Sequence, residues 1–486
     1  MKEDFTLLKQ LFCIHSKSGK EGKIRKLIWN WVRQNVPNAK IVCDKPGNLY
    51  IIKGKSETYP CIVAHMDQVQ DKQHSRFSLD MDLDCRHVDV VDGIRGLTVL
   101  MVLWFHFWQQ TWFMPSYPTP WLSFLGITNL TPSHIRWVGY IFVDMMVLLS
   151  AFCLTLPIAR SMLLGEGVDD ACTFYKKRFA RIYPSYLLAV LVSFGFQVYW
   201  NRYPSVSYAV RDLISHLTFT HMFRADTYVY APINGVLWTV GLEVQFYVLF
   251  PLLVKLFRRS PLLFWGTLTG FGALFIYQYA LKQEPINMQV NQLPTFLPVF
   301  ANGMLAAYLF TWYCVKVPYK RLWGVLFTAL AIVGAVLIRN EIVSAQMYPK
   351  DKQIWQLENR IGLSLCFTLF LVSAALSLKP LRWLFSNPVA RFLGAISYNL
   401  YLYHQRLIVL LRMSLGFQSG ADVAAAGTKM QIFLTAEALG LSLLLAAVLT
   451  YLWEKPIRRW ILTWGQKKEK PTPAQADTIS ESTERK

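Results

Sequence analysis

From Val90 onward the chain passes through ten apolar stretches. They lie at about 90–108, 137–157, 182–200, 238–256, 262–281, 293–312, 322–338, 360–377, 391–411 and 432–453. Each is close to the ~20 residues a helix needs to cross a bilayer, and this repetition restricts the fold more than any other feature. It predicts an all-α polytopic membrane protein with about ten transmembrane helices. The composition agrees, with 53% hydrophobic and 15% aromatic residues in 486, which excludes a disordered chain.

The net charge is +20, yet its distribution is not the footprint of a nucleic-acid binder, and no nucleic-acid partner is expected. Residues 1–89 hold 15 Lys/Arg and 11 Asp/Glu, so most of the excess lies among the apolar stretches. One set of loops (158–181, 255–259, 313–321, 378–391) carries 14 basic residues in about 50 positions, and the alternate set carries 10 in more than twice as many. Basic loops face the cytoplasm, so an even number of spans places both termini inside. The localisation expected is the inner (cytoplasmic) membrane, with the lipid bilayer as the first partner. The eight cysteines have no metal-type spacing, so neither a disulfide framework nor a structural zinc is expected. The N-terminus lacks a short apolar core followed by small residues, and no signal peptide is predicted.

Before the first span the chain reads as a small α/β soluble segment (1–75) and a linker (76–89). Helix-like spacing runs from Phe5 to Val36, interrupted near Ser16 to Gly19. Two strands follow, Ala39 to Cys43 and Asn48 to Lys53, joined by a turn on Pro46-Gly47, and then a third, Pro60 to Ala64, ending in His65-Met66-Asp67. The runs "FCIHSKSGKEGKIRKLIWNWV", "DKPGNLYI" and "IVAHMDQV" resemble the N-terminal part of zinc-dependent aminoacyl-histidine dipeptidases. That resemblance implies His65 as a zinc ligand and Asp67 as the group that orients it. Two residues cannot complete a catalytic zinc site, so the segment is expected to be a truncated, metal-free remnant. Residues 463–486 read as a disordered cytoplasmic tail.

The first span, Val90 to Trp108, retains two ionisable residues, Arg95 and His106. Eleven helical steps make about three full turns, so both side chains share one face, roughly 16 Å apart along the axis. Ionisable groups inside a membrane helix are costly, and they mark function by default. In the predicted orientation Arg95 lies near the cytoplasm and His106 deeper. Such a pair suits an anionic donor held by its charged end, with the reactive end delivered to an imidazole.

"DGIRGLTVLMVLWFHF" resembles the signature of the acyltransferase 3 family, membrane O-acyltransferases of surface carbohydrates and lipids. "FVDMMVLLSAFCLT", "FYKKRFARIYPSYLL", "NGVLWTVGLEVQFYVLFPLL", "LGAISYNLYLYHQ" and "WEKPIRR" follow in the family's order, so the likeness covers about residues 86–462. Ala151 and Val244 depart from the family's usual Gly and second Glu. The resemblance implies an acyl-CoA donor, expected to be acetyl-CoA, and no permanently bound cofactor. It implies catalytic roles for His106, as general base or transient acyl carrier, and for Glu243, orienting or polarising His106 or the acceptor. Arg95, Arg178 and Arg181 would hold the donor's phosphates. Asp92, Asp144, His404 and Glu454 would support them, with Glu454 expected to pair with a neighbouring arginine. The acceptor implied is a hydroxyl of a surface or lipid-linked carbohydrate. No hydrolase-like domain is expected after the last span, so the chain would act alone or with a separate periplasmic partner. Two alternatives stay open: a transporter or flippase for an anionic metabolite, and a membrane-tethered zinc peptidase.

Overall fold

The computed structural model describes residues 22–43, 48–53, 88–115, 117–120, 123, 129–130, 139–230, 233–317 and 321–464. These fall into two units. The smaller contains helix α1 (Gly22–Asn35), a hairpin, residues 157–168 and the chain from Phe310 to Val317. The hairpin pairs β1 (Ala39–Cys43) with β2 (Leu49–Lys53) antiparallel, Ala39 opposite Lys53 and Cys43 opposite Leu49. The two strands thus form where alternation predicted them. The expected turn at Pro46-Gly47, the third strand, His65 and Asp67 lie outside the described residues.

The larger unit is helical. Its elements are α2 (Asp89–Thr111), α3 (Phe142–Leu164, of which residues from Pro157 belong to the smaller unit), α4 (Ala171–Tyr199), α5 (Val206–Leu217), α6 (Trp238–Arg259), α7 (Pro261–Gln278), α8 (Leu293–Lys316, likewise from Phe310), α9 (Arg321–Met347), α10 (Lys352–Leu376) and α11 (Lys379–Ser386). Then come α12 (Pro388–Ser414), α13 (Gly420–Ala425), α14 (Thr428–Val448) and α15 (Lys455–Thr463). Among the described residues, eight helices are long and apolar enough to cross a membrane. The two other predicted spans are present as helices but fall outside that set. One, α7, is just long enough at 18 residues, but Pro261, Thr267, Thr269, Tyr277, Gln278 and three glycines lower its hydropathy. The other, α12, is longer but carries Asn399, His404, Gln405 and Arg406. A span that builds a polar site is less apolar than one that only crosses lipid.

At the centre, α2 and α12 run side by side. A Cβ added at Gly96 would lie 2.7 Å from the Leu393 Cβ, and one at Gly394 would lie 2.2 Å from the Asp92 carbonyl oxygen. Only glycine lets these backbones approach so closely, and close backbone packing is what holds helices together in lipid. Val99, Val102, Leu103 and Phe107 then interlock with Ile396, Leu400 and Ile408, and with Leu434 and Ala438 of α14. The chain continues from α14 into α15 through a widened π-helical stretch, Leu449–Glu454. Pro456 accounts for it, because proline lacks an N–H and crowds the carbonyl four residues earlier.

Candidate active site

Arg95 occupies the second turn of α2 and is held from two sides. Its Nη1 donates to Asp92 Oδ1 at 3.0 Å, one turn back, and its Nη2 donates to Cys153 Sγ of α3, also at 3.0 Å. Arg178 and Arg181 are three residues apart on α4 and therefore share a face. The Arg178 guanidinium sits 5.6 Å from the centre of the Phe174 ring, and its Nε is buried without a hydrogen-bond partner. Glu243 of α6 accepts from the Tyr247 hydroxyl at 2.9 Å, and that hydroxyl lies 3.4 Å from Ser150 Oγ. All of these except Asp92 and Phe174 line one cavity with about 830 Å³ of empty space, closed by Ser397, Tyr398 and Tyr401 of α12. Three arginines face a single carboxylate there, so the cavity favours a polyanion.

His106 lines a different cavity of about 810 Å³. Its walls are aromatic (Phe105, Tyr140, Trp238) and amide-bearing (Asn291, Gln353, Gln405), with Lys352 among them. Val143 and Tyr401 line both cavities, so the two are back to back across these side chains. His106 Nδ1 lies 3.1 Å from Gln109 Oε1. An amide oxygen only accepts, so in that pairing Nδ1 carries the proton and Nε2 keeps its lone pair.

The remaining sequence-predicted residues divide into near and far. His404 is fully buried, with its ring centre 5.1 Å from that of His106. Its Nδ1 donates to the Tyr401 carbonyl at 2.8 Å, which leaves Nε2 buried without a partner. Glu454 accepts from Asn399 Nδ2 at 2.7 Å, while Arg181 and Arg458 act on it only through charge at longer range. Glu454 thus has the neighbouring arginines expected of it as charge partners, and takes its hydrogen bond from Asn399 of α12. Glu243 was expected beside His106, but its bonded partner is Tyr247 and its cavity is that of Arg95.

Asp144 is entirely buried against Arg360 of α10, Oδ2 to Nε at 3.1 Å. Arg360 also donates to the Val290 carbonyl at 2.6 Å and to Thr295 Oγ1 at 2.7 Å, and covers the Phe296 ring at 4.0 Å. So many partners make this a structural strut of the cavity wall, to which Gln356 and Val290 also belong. Sequence reasoning missed Arg360 because it read residue 360 as the end of a span. The helix begins at Lys352, which puts Arg360 two turns inside. It missed Tyr247 too, although the four-residue spacing from Glu243 on a helix was a usable signal.

Comparison with known proteins follows the same residues. Residues 88–453 match the profile of an acyltransferase domain, that of the acyltransferase 3 family. A Staphylococcus aureus protein provisionally named an O-acetyltransferase is 21% identical over 345 residues, covering 66% of this chain and 51% of its own length. Acyltransferase MdmB of Streptomyces mycarofaciens is 25% identical over 353 residues, covering 69% of this chain and 84% of its own. A protein of Acidianus two-tailed virus, provisionally named an acetyltransferase, is 27% identical over 336 residues, with 68% and 87% covered. The chain thus spans about half the length of the staphylococcal relatives it matches. No solved structure is significantly similar, and the peptidase resemblance of residues 1–75 gains no support from these comparisons. With its arginine-lined cavity, its neighbouring histidine cavity and a match over residues 88–453, the chain belongs to the acyltransferase 3 family.

Proposed function

We propose that the protein is a membrane O-acyltransferase that moves an acyl group, acetyl in the first instance, from acyl-CoA to a carbohydrate hydroxyl. The observation that carries this reading is the back-to-back arrangement of the two cavities. One offers Arg95, Arg178 and Arg181 to the phosphates of a nucleotide-bearing donor, in the fork geometry that suits them. The other offers an imidazole among aromatic and amide side chains, the surroundings a sugar favours. The donor's slender arm would cross between Val143 and Tyr401 and present its thioester to His106. His106 Nε2 would take the proton of the acceptor hydroxyl as its oxygen attacks the acyl carbon. The C–S bond then breaks, and the imidazolium returns the proton to the departing thiolate. Donor entry from the cytoplasmic side, with both termini inside, fits the excess of basic residues in the loops beside the arginine cavity.

The test uses full-length protein in lipid nanodiscs with acetyl-labelled coenzyme A and glycolipid or soluble sugar acceptors. Label should pass to a hydroxyl in an ester that mild base removes. Failure to bind acetyl-CoA would retire the reading.

A further inference from the structure

A third cavity continues beyond the histidine. It holds about 1220 Å³ of empty space and is lined by Arg202, Arg406 and Arg412, together with Trp200, Gln405 and Gln418 among others. Gly235 and Gln405 line this chamber and the His106 cavity alike, so the two adjoin. Among the described residues no Asp or Glu lines it. Arg412 is only 8% exposed, and both its Nε and its Nη1 are buried without a hydrogen-bond partner. Taking two nitrogens of a guanidinium out of water without giving them a partner is costly, and a ligand oxyanion in the chamber would supply that partner. Asp422 acts on Arg412 through charge. Its Oδ2, however, accepts the backbone N–H groups of Gln418 at 2.9 Å and Ser419 at 2.7 Å, capping α13. Arg406 is oriented by the Ile233 carbonyl, to which its Nη2 donates. Arginines near a helix end can anchor a membrane protein by reaching lipid headgroups, but Arg412 is buried against the chamber.

We propose that this chamber binds an oxyanion carried by the acceptor, so that the acceptor is an acidic, hydroxyl-bearing molecule whose charge rests on Arg202, Arg406 and Arg412 while its hydroxyl reaches His106. The inference rests on the acyl-transfer reading for the word acceptor, and on the chamber alone for the anion. Two sources share the chemistry: the carboxylate of an acidic sugar and the phosphate that links a glycan to a lipid. Matched pairs distinguish them. Methyl glucuronide and its methyl ester differ by the sugar's charge and one methyl group, and farnesyl phosphate and farnesol differ by the charged phosphate.

Binding of each is measured on the full chain in nanodiscs of neutral phosphatidylcholine, for wild type, Arg412→Gln and Arg412→Lys. The anionic member of one pair should bind at least about tenfold more tightly than its twin, the equivalent of ~1.4 kcal/mol. Arg412→Gln should abolish that preference and leave coenzyme A binding intact. Arg412→Lys, which keeps the charge, should retain part of it. The pair that shows the preference names the source. Equal binding within both pairs, or a preference that survives Arg412→Gln, overturns the proposal. A preference that depends on Arg412 in a protein that transfers no acetyl group keeps the anion chamber and retires the acyl-transfer reading instead.

Discussion

Replacing His106 with alanine removes the imidazole from the second cavity and leaves the three arginines of the first untouched. Turnover should fall ~10²–10⁴-fold, the usual size of a proton-transfer contribution, while donor affinity stays near wild type. Arg95→Lys should do the opposite. It keeps the charge, but a single ammonium cannot engage Asp92, Cys153 and a phosphate in the geometry of a planar fork, so donor affinity should drop first. Donor binding and turnover measured on each purified variant separate the two. Equal turnover in His106→Ala and wild type would end the catalytic assignment. These two residues were legible in the sequence because a fixed spacing on one apolar helix is a one-dimensional fact. The contact of Arg95 with Cys153 was not, since it joins two helices 58 residues apart in the chain. Nor could spacing reveal that Glu243 would face the arginines and leave His106 to Gln109 and His404.

Two helices, α2 and α12, meet through glycine, and there the element dominates the residue. Gly394→Ala would drive a methyl group into the Asp92 carbonyl. Overpacking of this kind destabilises by ~1–3 kcal/mol, and because Asp92 holds Arg95, donor affinity should weaken along with thermal stability. A variant with unchanged unfolding temperature and unchanged donor affinity would contradict the packing argument. At the end of α5, His221 stacks on His216, their ring centres 4.2 Å apart and the rings within 9° of parallel. The Asp212 carboxylate lies 3.1 Å from the far partner, His216 Nδ1, and another neighbour of His221, Gly241 of α6, carries no charge. Burial, aided by His216, pushes His221 well below the ordinary histidine value of 6.5, and the backbones of Leu237 and Ser215 oppose the shift without reversing it. Its folded form therefore refuses a proton that the unfolded chain accepts. Stability should be unaffected above about pH 6.5 and should fall as the pH drops below it. Melting curves at pH 7.5 and 5.5 check this, and His221→Gln should flatten the difference. Periodicity located these helices well, but it misplaced the start of α10, where polar residues are buried by neighbours and not by lipid.

For the molecule as a whole, the family match begins at residue 88, and every residue assigned to donor or acceptor lies beyond it. Deleting residues 1–75 should therefore leave acyl transfer within about twofold of wild type, the small change expected when no residue of the site is removed. Loss of donor binding on deletion would show that the segment contributes to the site. The ten apolar stretches made the membrane class readable from sequence, because a bilayer imposes a length that no packing can disguise. The cavities were not readable, because the arginine and histidine cavities each draw their walls from four or more helices, and the third joins α4 and α12 to loops far apart in the chain. One consequence of their arrangement is electrical. If the arginine cavity opens to the cytoplasm and the histidine cavity to the other side, the membrane voltage falls mainly across Val143 and Tyr401, the side chains that line both. A unit charge crossing that layer gains ~2.3 kcal/mol per 100 mV, so in that arrangement these two side chains would serve as insulation as well as threshold. Tyr401→Ala should make vesicles containing the protein leak protons under an imposed potential, whether or not any acyl group is being moved.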